Sequence, residues 1–388
     1  MTVTVDPTLL GTLQRYGAFD VAACFNCGNC TAVCPLTDDD ATFPRRLIRY
    51  AQVGMKEELL ASKELWTCYY CGECSETCPR QAEPGEFMAA ARRYAIAGYD
   101  RTRLARTMYL QPLVGTAFAI ALAALFALFM YAGHGPQDTA TLALFGFIPS
   151  DLIHNVGIGV MVVVFLAGLA GVATMARRIA RSEGVGWRTV LGSRAALGRS
   201  ARALWAVLAV ESLGQRRYRT DCETVQNPVP LYRRRWLLHS FTMWGFLGLL
   251  GATMLDYGLE LIGIKATGTP VPIWYPVRLL GTVAGAMLIY GTTMLIADRL
   301  RRANRAVRHS TAADWTLLAL LWLAGVSGFV LELALYLPQA PVWGYWVFLF
   351  HVAVAMELVL LAPFMKFAHA VYRPVALFFY ALAAARTS

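Results

Sequence analysis

The chain has 388 residues, 57% apolar, 12% aromatic and only 15% charged, with a mean hydropathy of +0.47. Soluble proteins average about 25% charged residues, so there is too little polar surface here for a wholly soluble enzyme, and disorder, coiled coil and collagen are excluded too. The net charge of +10 is unevenly spread: residues 1–104 carry 11 basic and 13 acidic side chains, residues 105–388 carry 24 and 12.

Two halves of such different material read as two domains, 1–104 and 105–388. Eight of the nine cysteines lie between Cys24 and Cys78. Residues 1–23 lack a basic start followed by an apolar run, so no signal peptide is expected there and the cysteine-rich region is expected in the cytoplasm. In that compartment metal ligation is favoured over disulfides.

The cysteines form a repeat. Cys24, Cys27, Cys30, Cys34 and Pro35 follow C-x2-C-x2-C-x3-C-P, and Cys68, Cys71, Cys74, Cys78 and Pro79 follow it again. Three thiolates at this spacing wrap one iron–sulfur cube, and in two-cluster ferredoxins the fourth cysteine serves the other cube. The expected sets are Cys24, Cys27, Cys30 and Cys78 for one [4Fe–4S] cluster, and Cys68, Cys71, Cys74 and Cys34 for the other. Gly28 and Gly72 occupy matching places, where a missing side chain lets backbone N–H groups approach sulfur. Zinc is the alternative metal, but its sites use cysteine pairs separated by a longer loop. Between the motifs, residues 44–62 read as a helix with Pro44 at its start. A helical ferredoxin-like module is therefore expected.

Six apolar stretches follow, at about 109–132, 150–176, 236–259, 274–297, 314–336 and 343–371. Each is long enough for a helix to cross ~30 Å of hydrocarbon. The connection 177–235 holds thirteen Arg, ending in Arg233-Arg234-Arg235, and 298–313 adds Arg299, Arg301, Arg302, Arg305 and Arg308. The other three connections hold one basic residue, Lys265, with Arg278 just inside the fourth span. Basic loops stay in the cytoplasm, so both termini are expected inside a cytoplasmic membrane. The arginines alternate with the spans, which topology explains better than nucleic-acid binding. Within the long connection, 201–213 is apolar on one side and reads either as a surface or partner-docking helix or as a helix covering the inner end of the bundle. Cys222, alone, reads as packing.

Four of the six histidines lie in the spans, where a polar ring is costly and usually functional. On one continuous helix, His351 and His369 would share a face about 27 Å apart, unless Pro363 kinks it. His239 opens the third span level with His369, and His154 opens the second nearer His351. Each pair, inner His239/His369 and outer His154/His351, is a candidate axial set for a haem b. His351 sits roughly 6–7 Å deeper than His154, and His134 in the outer loop competes with His154. Asp256, Arg278, Glu332 and Glu357 are candidates for a quinone site, a proton path or charge balance.

The duplicated cysteine module resembles the C subunit of heterodisulfide reductase. The membrane half, through His351, Pro363-Phe364-Met365-Lys366 and His369, resembles the gamma subunit of respiratory nitrate reductase and the E subunit of heterodisulfide reductase. The fusion resembles the membrane subunit of the quinone-interacting membrane-bound oxidoreductase family. One departure is plain: the nitrate reductase gamma subunit has a second histidine ten residues after the equivalent of His239, where this chain has Leu249. The resemblance implies an all-α fold, a helical dicluster ferredoxin-like domain plus a six-helix haem b bundle. It implies two [4Fe–4S] clusters, two haem b and menaquinone as lipid-soluble carrier. It also implies flavoprotein partners like the A subunit of heterodisulfide reductase, with adenylylsulfate reductase beyond them. The expected function is an electron-transfer subunit, incomplete alone. Rival readings are a heterodisulfide reductase-like or electron-transfer-flavoprotein:quinone system, a complete single-chain quinone enzyme, and a non-redox membrane protein with a zinc-bound cap.

Overall fold

A computed structural model describes residues 4–37, 42–221, 229–268, 271–303, 307, 309–337 and 340–387. Cys222, Arg305 and Arg308 lie outside the described residues. Among those described, all regular structure is helical.

The N-terminal module is built from α1 (Leu9–Arg15), α2 (Asn29–Ala32), α3 (Arg45–Gln52), α4 (Lys56–Leu60), α5 (Glu73–Glu76) and α6 (Pro84–Tyr99). The sequence repeat is also a backbone repeat. Gly28 (φ +92) and Gly72 (φ +99) open α2 and α5 in the left-handed region, and Asn26 and Tyr70, two residues earlier, have positive φ as well. Asn29 Nδ2 donates to the Thr77 carbonyl at 2.6 Å, tying one copy to the other. The expected single helix over 44–62 starts after Pro44 but is split in two. Gly54 turns the chain at φ +77, and a Cβ there would stand 2.5 Å from the Asp6 carbonyl oxygen.

Among the described residues, six helices are long and apolar enough to cross a membrane: Pro112–Ala132, Ser150–Ser182, Arg235–Leu261, Pro276–Leu300, Ala312–Leu335 and Val342–Phe364. The chain is thus a multi-pass membrane protein. The fifth and sixth are the most buried and form the centre of the bundle. The third and fourth pack backbone to backbone through small residues: a Cβ on Gly245 would stand 2.6 Å from Leu288 N, and one on Gly291 would stand 2.9 Å from the Leu238 carbonyl. Close approach at small residues is how helices associate where no hydrophobic drive separates them from lipid.

The last expected span, 343–371, is not continuous. Its α-helix stops at Leu361, two short 3-10 turns follow (Ala362–Phe364 and Lys366–Ala368) around an extended Met365, and a new helix runs His369–Thr387. Pro363 lacks an N–H and clashes with the preceding turn, which ends the helix. His351 and His369 therefore sit on different helices, and the shared-face estimate fails. The apolar stretch 201–213 also differs from expectation: an α-helix, Arg194–Trp205, passes into π-helical turns over Ala206–Leu213.

The module sits on one end of the bundle and shares its core. Leu47, Trp66, Phe87 and Tyr99 pack in one cluster with Met175, Ile179, Phe364, Tyr372 and Ala376. Ion pairs join the same parts: Lys63–Glu183 at 2.6 Å, Arg178–Glu57 at 2.9 Å and Arg93–Asp314 at 3.2 Å.

Candidate functional site

The eight repeated cysteines line two cavities. Cys24, Cys27, Cys30 and Cys78 surround the first, with Arg45 and Arg80 on its wall. Cys34, Cys68, Cys71 and Cys74 surround the second, with Tyr69 and Tyr70. The short helices after Gly28 and Gly72 turn three sulfurs of each motif toward one space, and the fourth crosses to the other. The pairing joins α2 and α5, which contact each other.

The loops are held differently. Gln52 Nε2 donates to the Cys24 carbonyl at 2.6 Å, Asn26 donates to Gln52 at 2.7 Å, and Arg45 Nε donates to Asn26 at 3.2 Å. All of these belong to the module. The second loop is gripped from the membrane half as well. Arg92 Nη2 and Arg373 Nη1 donate to the Cys68 carbonyl at 2.7 and 3.3 Å, and Arg235 Nη2 donates to the Tyr70 carbonyl at 3.1 Å. The Tyr70 hydroxyl donates to Glu86. Backbone N–H groups reach sulfur at Cys68 (3.3 Å, from Tyr70) and Cys78 (3.4 Å, from Ala82); such bonds tune cluster potentials.

Burial pushes the Cys30 and Cys34 thiols up to about 11, and Cys74 well above the usual range, with neighbouring sulfurs adding to each. Cationic charge between the sulfurs would be needed to hold them as thiolates. Among the described residues, no three His, Cys, Asp or Glu side chains converge on a point that one ion could hold. The sulfurs ring a space instead.

Below the second cavity the rings of His239 and His369 meet at 6.1 Å between centroids. His239 Nδ1 donates to Gln215 Oε1 at 3.2 Å, and His369 Nδ1 donates to the Lys366 carbonyl at 2.5 Å. Each ring thus commits Nδ1 and keeps Nε2, the arrangement that presents a nitrogen to a metal. Rings at this separation, each with Nε2 uncommitted, could both reach one metal, since two nitrogens each ~2 Å from it leave their ring centres about 6 Å apart. Arg235, Arg373 and Lys366 carry positive charge near the rings.

His351 repeats the device. The Ser327 hydroxyl donates to the Leu323 carbonyl at 2.6 Å, so Ser327 Oγ accepts from His351 Nδ1 at 2.8 Å. His154 lacks it: its ring stacks on Tyr257 at 4.1 Å, and it makes no ring contact with His351. The structure thus joins the inner pair and gives the outer pair separate surroundings. His134 is exposed, its Nδ1 2.6 Å from the Tyr131 carbonyl.

Of the other charges, Asp256 pairs with Lys265 at 2.6 Å, and Arg278 lies 3.5 Å from Glu332. Glu357 is 2% exposed with no hydrogen-bond or ion-pair partner among the described residues. Sequence reasoning missed Gln215, Ser327, the Arg93–Asp314 pair, Tyr69 and Tyr218. Nothing local marks them, because each acts on a residue far away in the chain. A search for polar residues inside apolar spans would have flagged only Ser327 and Asp314.

Residues 20–82 match the 4Fe-4S dicluster domain family. The chain is 29% identical over 163 residues to citrate utilization protein B of Escherichia coli, covering 42% of this chain and 41% of that protein. It is 32% identical over 62 residues to the C subunit of the H(2):CoB-CoM heterodisulfide,ferredoxin reductases of Methanothermobacter thermautotrophicus and Methanothermobacter marburgensis, covering 16% of this chain and 34% of each. The chain thus spans under half the length of these relatives. No solved structure matches it. Within this multi-pass membrane protein, the N-terminal module is an iron–sulfur dicluster domain similar to the C subunit of heterodisulfide reductase.

Proposed function

We propose that the chain is the membrane electron-transfer subunit of a quinone-dependent oxidoreductase. The carrying observation is one juxtaposition: eight cysteines divided four and four around two cavities, seated on the end of the bundle where His239 and His369 meet. Cys24, Cys27, Cys30 and Cys78 hold one [4Fe–4S] cluster. Cys34, Cys68, Cys71 and Cys74 hold the other. His239 and His369 hold an inner haem b, with Gln215 and the Lys366 carbonyl fixing their rings. His351, fixed by Ser327, is the ligand of an outer haem whose second ligand is His154. Haem b, when bound, supplies a one-electron centre inside the bundle. The protein's part is to hold these groups close, dry and charge-balanced. A zinc-capped transporter fits less well, since two three-cysteine motifs, each with a fourth cysteine crossing to the other, suit cubes better than the paired cysteines of zinc sites.

The basic connections support a cytoplasmic position for the module; in this reading electrons move between a membrane quinone such as menaquinone and a cytoplasmic flavoprotein like the A subunit of heterodisulfide reductase. In sulfur metabolism, adenylylsulfate reductase would lie beyond that flavoprotein. A second reading rests on the similarity to citrate utilization protein B, which reaches well beyond the cluster region and favours a partner in carboxylic acid metabolism. The soluble protein that co-purifies separates the two.

The test is reduction of the purified full chain by a menaquinol analogue under anaerobic conditions. The reading expects the haem absorption bands and the cluster electron paramagnetic resonance signals both to respond. Haem and clusters that stay oxidised under excess quinol, yet reduce with dithionite, contradict it.

A further inference from the structure

The two cavities do not stand in equivalent places. No residue of 68–75 in the second loop is exposed, whereas in the first Phe25 is 62% exposed and Cys27 is also exposed. The second loop is held by Arg235 and Arg373 from the membrane half; among the described residues, the first loop's side-chain hydrogen bonds come from its own module. One line of rings leads inward from the second cavity. Tyr69, on its wall, stacks on Tyr218 with centroids 5.3 Å apart and planes 18° apart. Tyr218 meets His239 edge-on at 5.5 Å, and His239 meets His369 at 6.1 Å. The Arg373 guanidinium sits 4.0 Å over the Tyr69 ring and pins it.

We infer that the relay has a fixed order: the Cys34/Cys68/Cys71/Cys74 centre faces the membrane and exchanges electrons with the inner histidine pair across Tyr69 and Tyr218, while the Cys24/Cys27/Cys30/Cys78 centre faces the soluble side. This deepens the proposed function and rests on it. One electron crosses the ring pair per event, so the centre that loses it is oxidised by one and its neighbour reduced by one. The phenols stay protonated, and no proton or atom is transferred. Tyr69 and Tyr218 are positioning residues: their packed rings remove a gap that water would otherwise fill.

The experiment uses the full chain, reduced with dithionite and mixed rapidly with ferricyanide, following the haem Soret band. Iron and haem content are measured on every variant. Tyr218→Leu is expected to lose the fast phase of haem oxidation at full cofactor content, and Tyr218→Phe, which keeps the ring, to restore it. The midpoint potential of the inner haem supplies a second readout. It is expected to move in Cys71→Ser, which removes the nearby cluster, and to stay in Cys27→Ser. An unchanged fast phase in Tyr218→Leu, or a potential that moves with Cys27→Ser and not with Cys71→Ser, overturns the order. Unaltered protein without haem overturns the underlying reading instead.

Discussion

Asp314 and Glu357 are both carboxyls buried within the bundle, and they differ in company. Asp314 Oδ2 accepts from Arg93 at 3.2 Å and from the Thr311 backbone and hydroxyl at 3.0 and 2.9 Å, while Oδ1 lies 3.3 Å from Lys366 Nζ. Arg93 in turn donates to the Tyr16 carbonyl at 2.9 Å, so this carboxylate locks the module to the fifth span. Removing one member of a buried pair costs about 3–5 kcal/mol, because the other charge is left alone. Asp314→Asn should lower thermal stability in detergent by that order, while Glu357→Gln, which strands no partner, should leave the midpoint nearly unchanged. Equal shifts in the two would refute this. Gln215 and Ser327 make a second test. Groups that orient metal-ligating histidines typically contribute 10–100-fold in affinity, so Gln215→Ala and Ser327→Ala should each weaken haem retention by about that factor, seen as loss of Soret absorbance through dilution. The cysteines were legible in the sequence because their spacing is the geometry of the site. Ser327 was not, because its partner lies 24 residues away on another helix.

At the scale of elements, six spans follow from length and hydropathy alone, since apolar composition specifies a crossing whatever packs against it. Where helices stop and touch is set by single residues. Pro363 was visible as a kink, yet the full break around Met365 and the fresh start at His369 depend on the module packed against that turn. The contact between the third and fourth spans depends on Gly245 and Gly291, which composition does not distinguish from other glycines. Gly245→Leu places a side chain against the Leu288 backbone and should push the two helices apart, shifting His239 with its helix. The expected result is an altered inner-haem spectrum and a lower melting temperature; an unaltered spectrum would show that this contact does not position His239.

For the whole molecule, charge and composition suggest a division at about residue 104, and the way the halves join was not legible in them. They share one hydrophobic core, so the cluster module caps one end of the bundle and is not a tethered domain. Thirteen arginines between the second and third spans support the cytoplasmic side proposed for it. Trypsin should cut the 177–235 connection in inside-out vesicles and spare it in right-side-out ones; the reverse pattern would put the module outside. The most direct test of the central claim is iron, haem and zinc quantitation with an optical spectrum on the purified chain. Two [4Fe–4S] clusters and two b haems predict about eight non-haem irons and about two haems per chain, falling to about one haem in His154→Ala. Stoichiometric zinc in a colourless protein would contradict it.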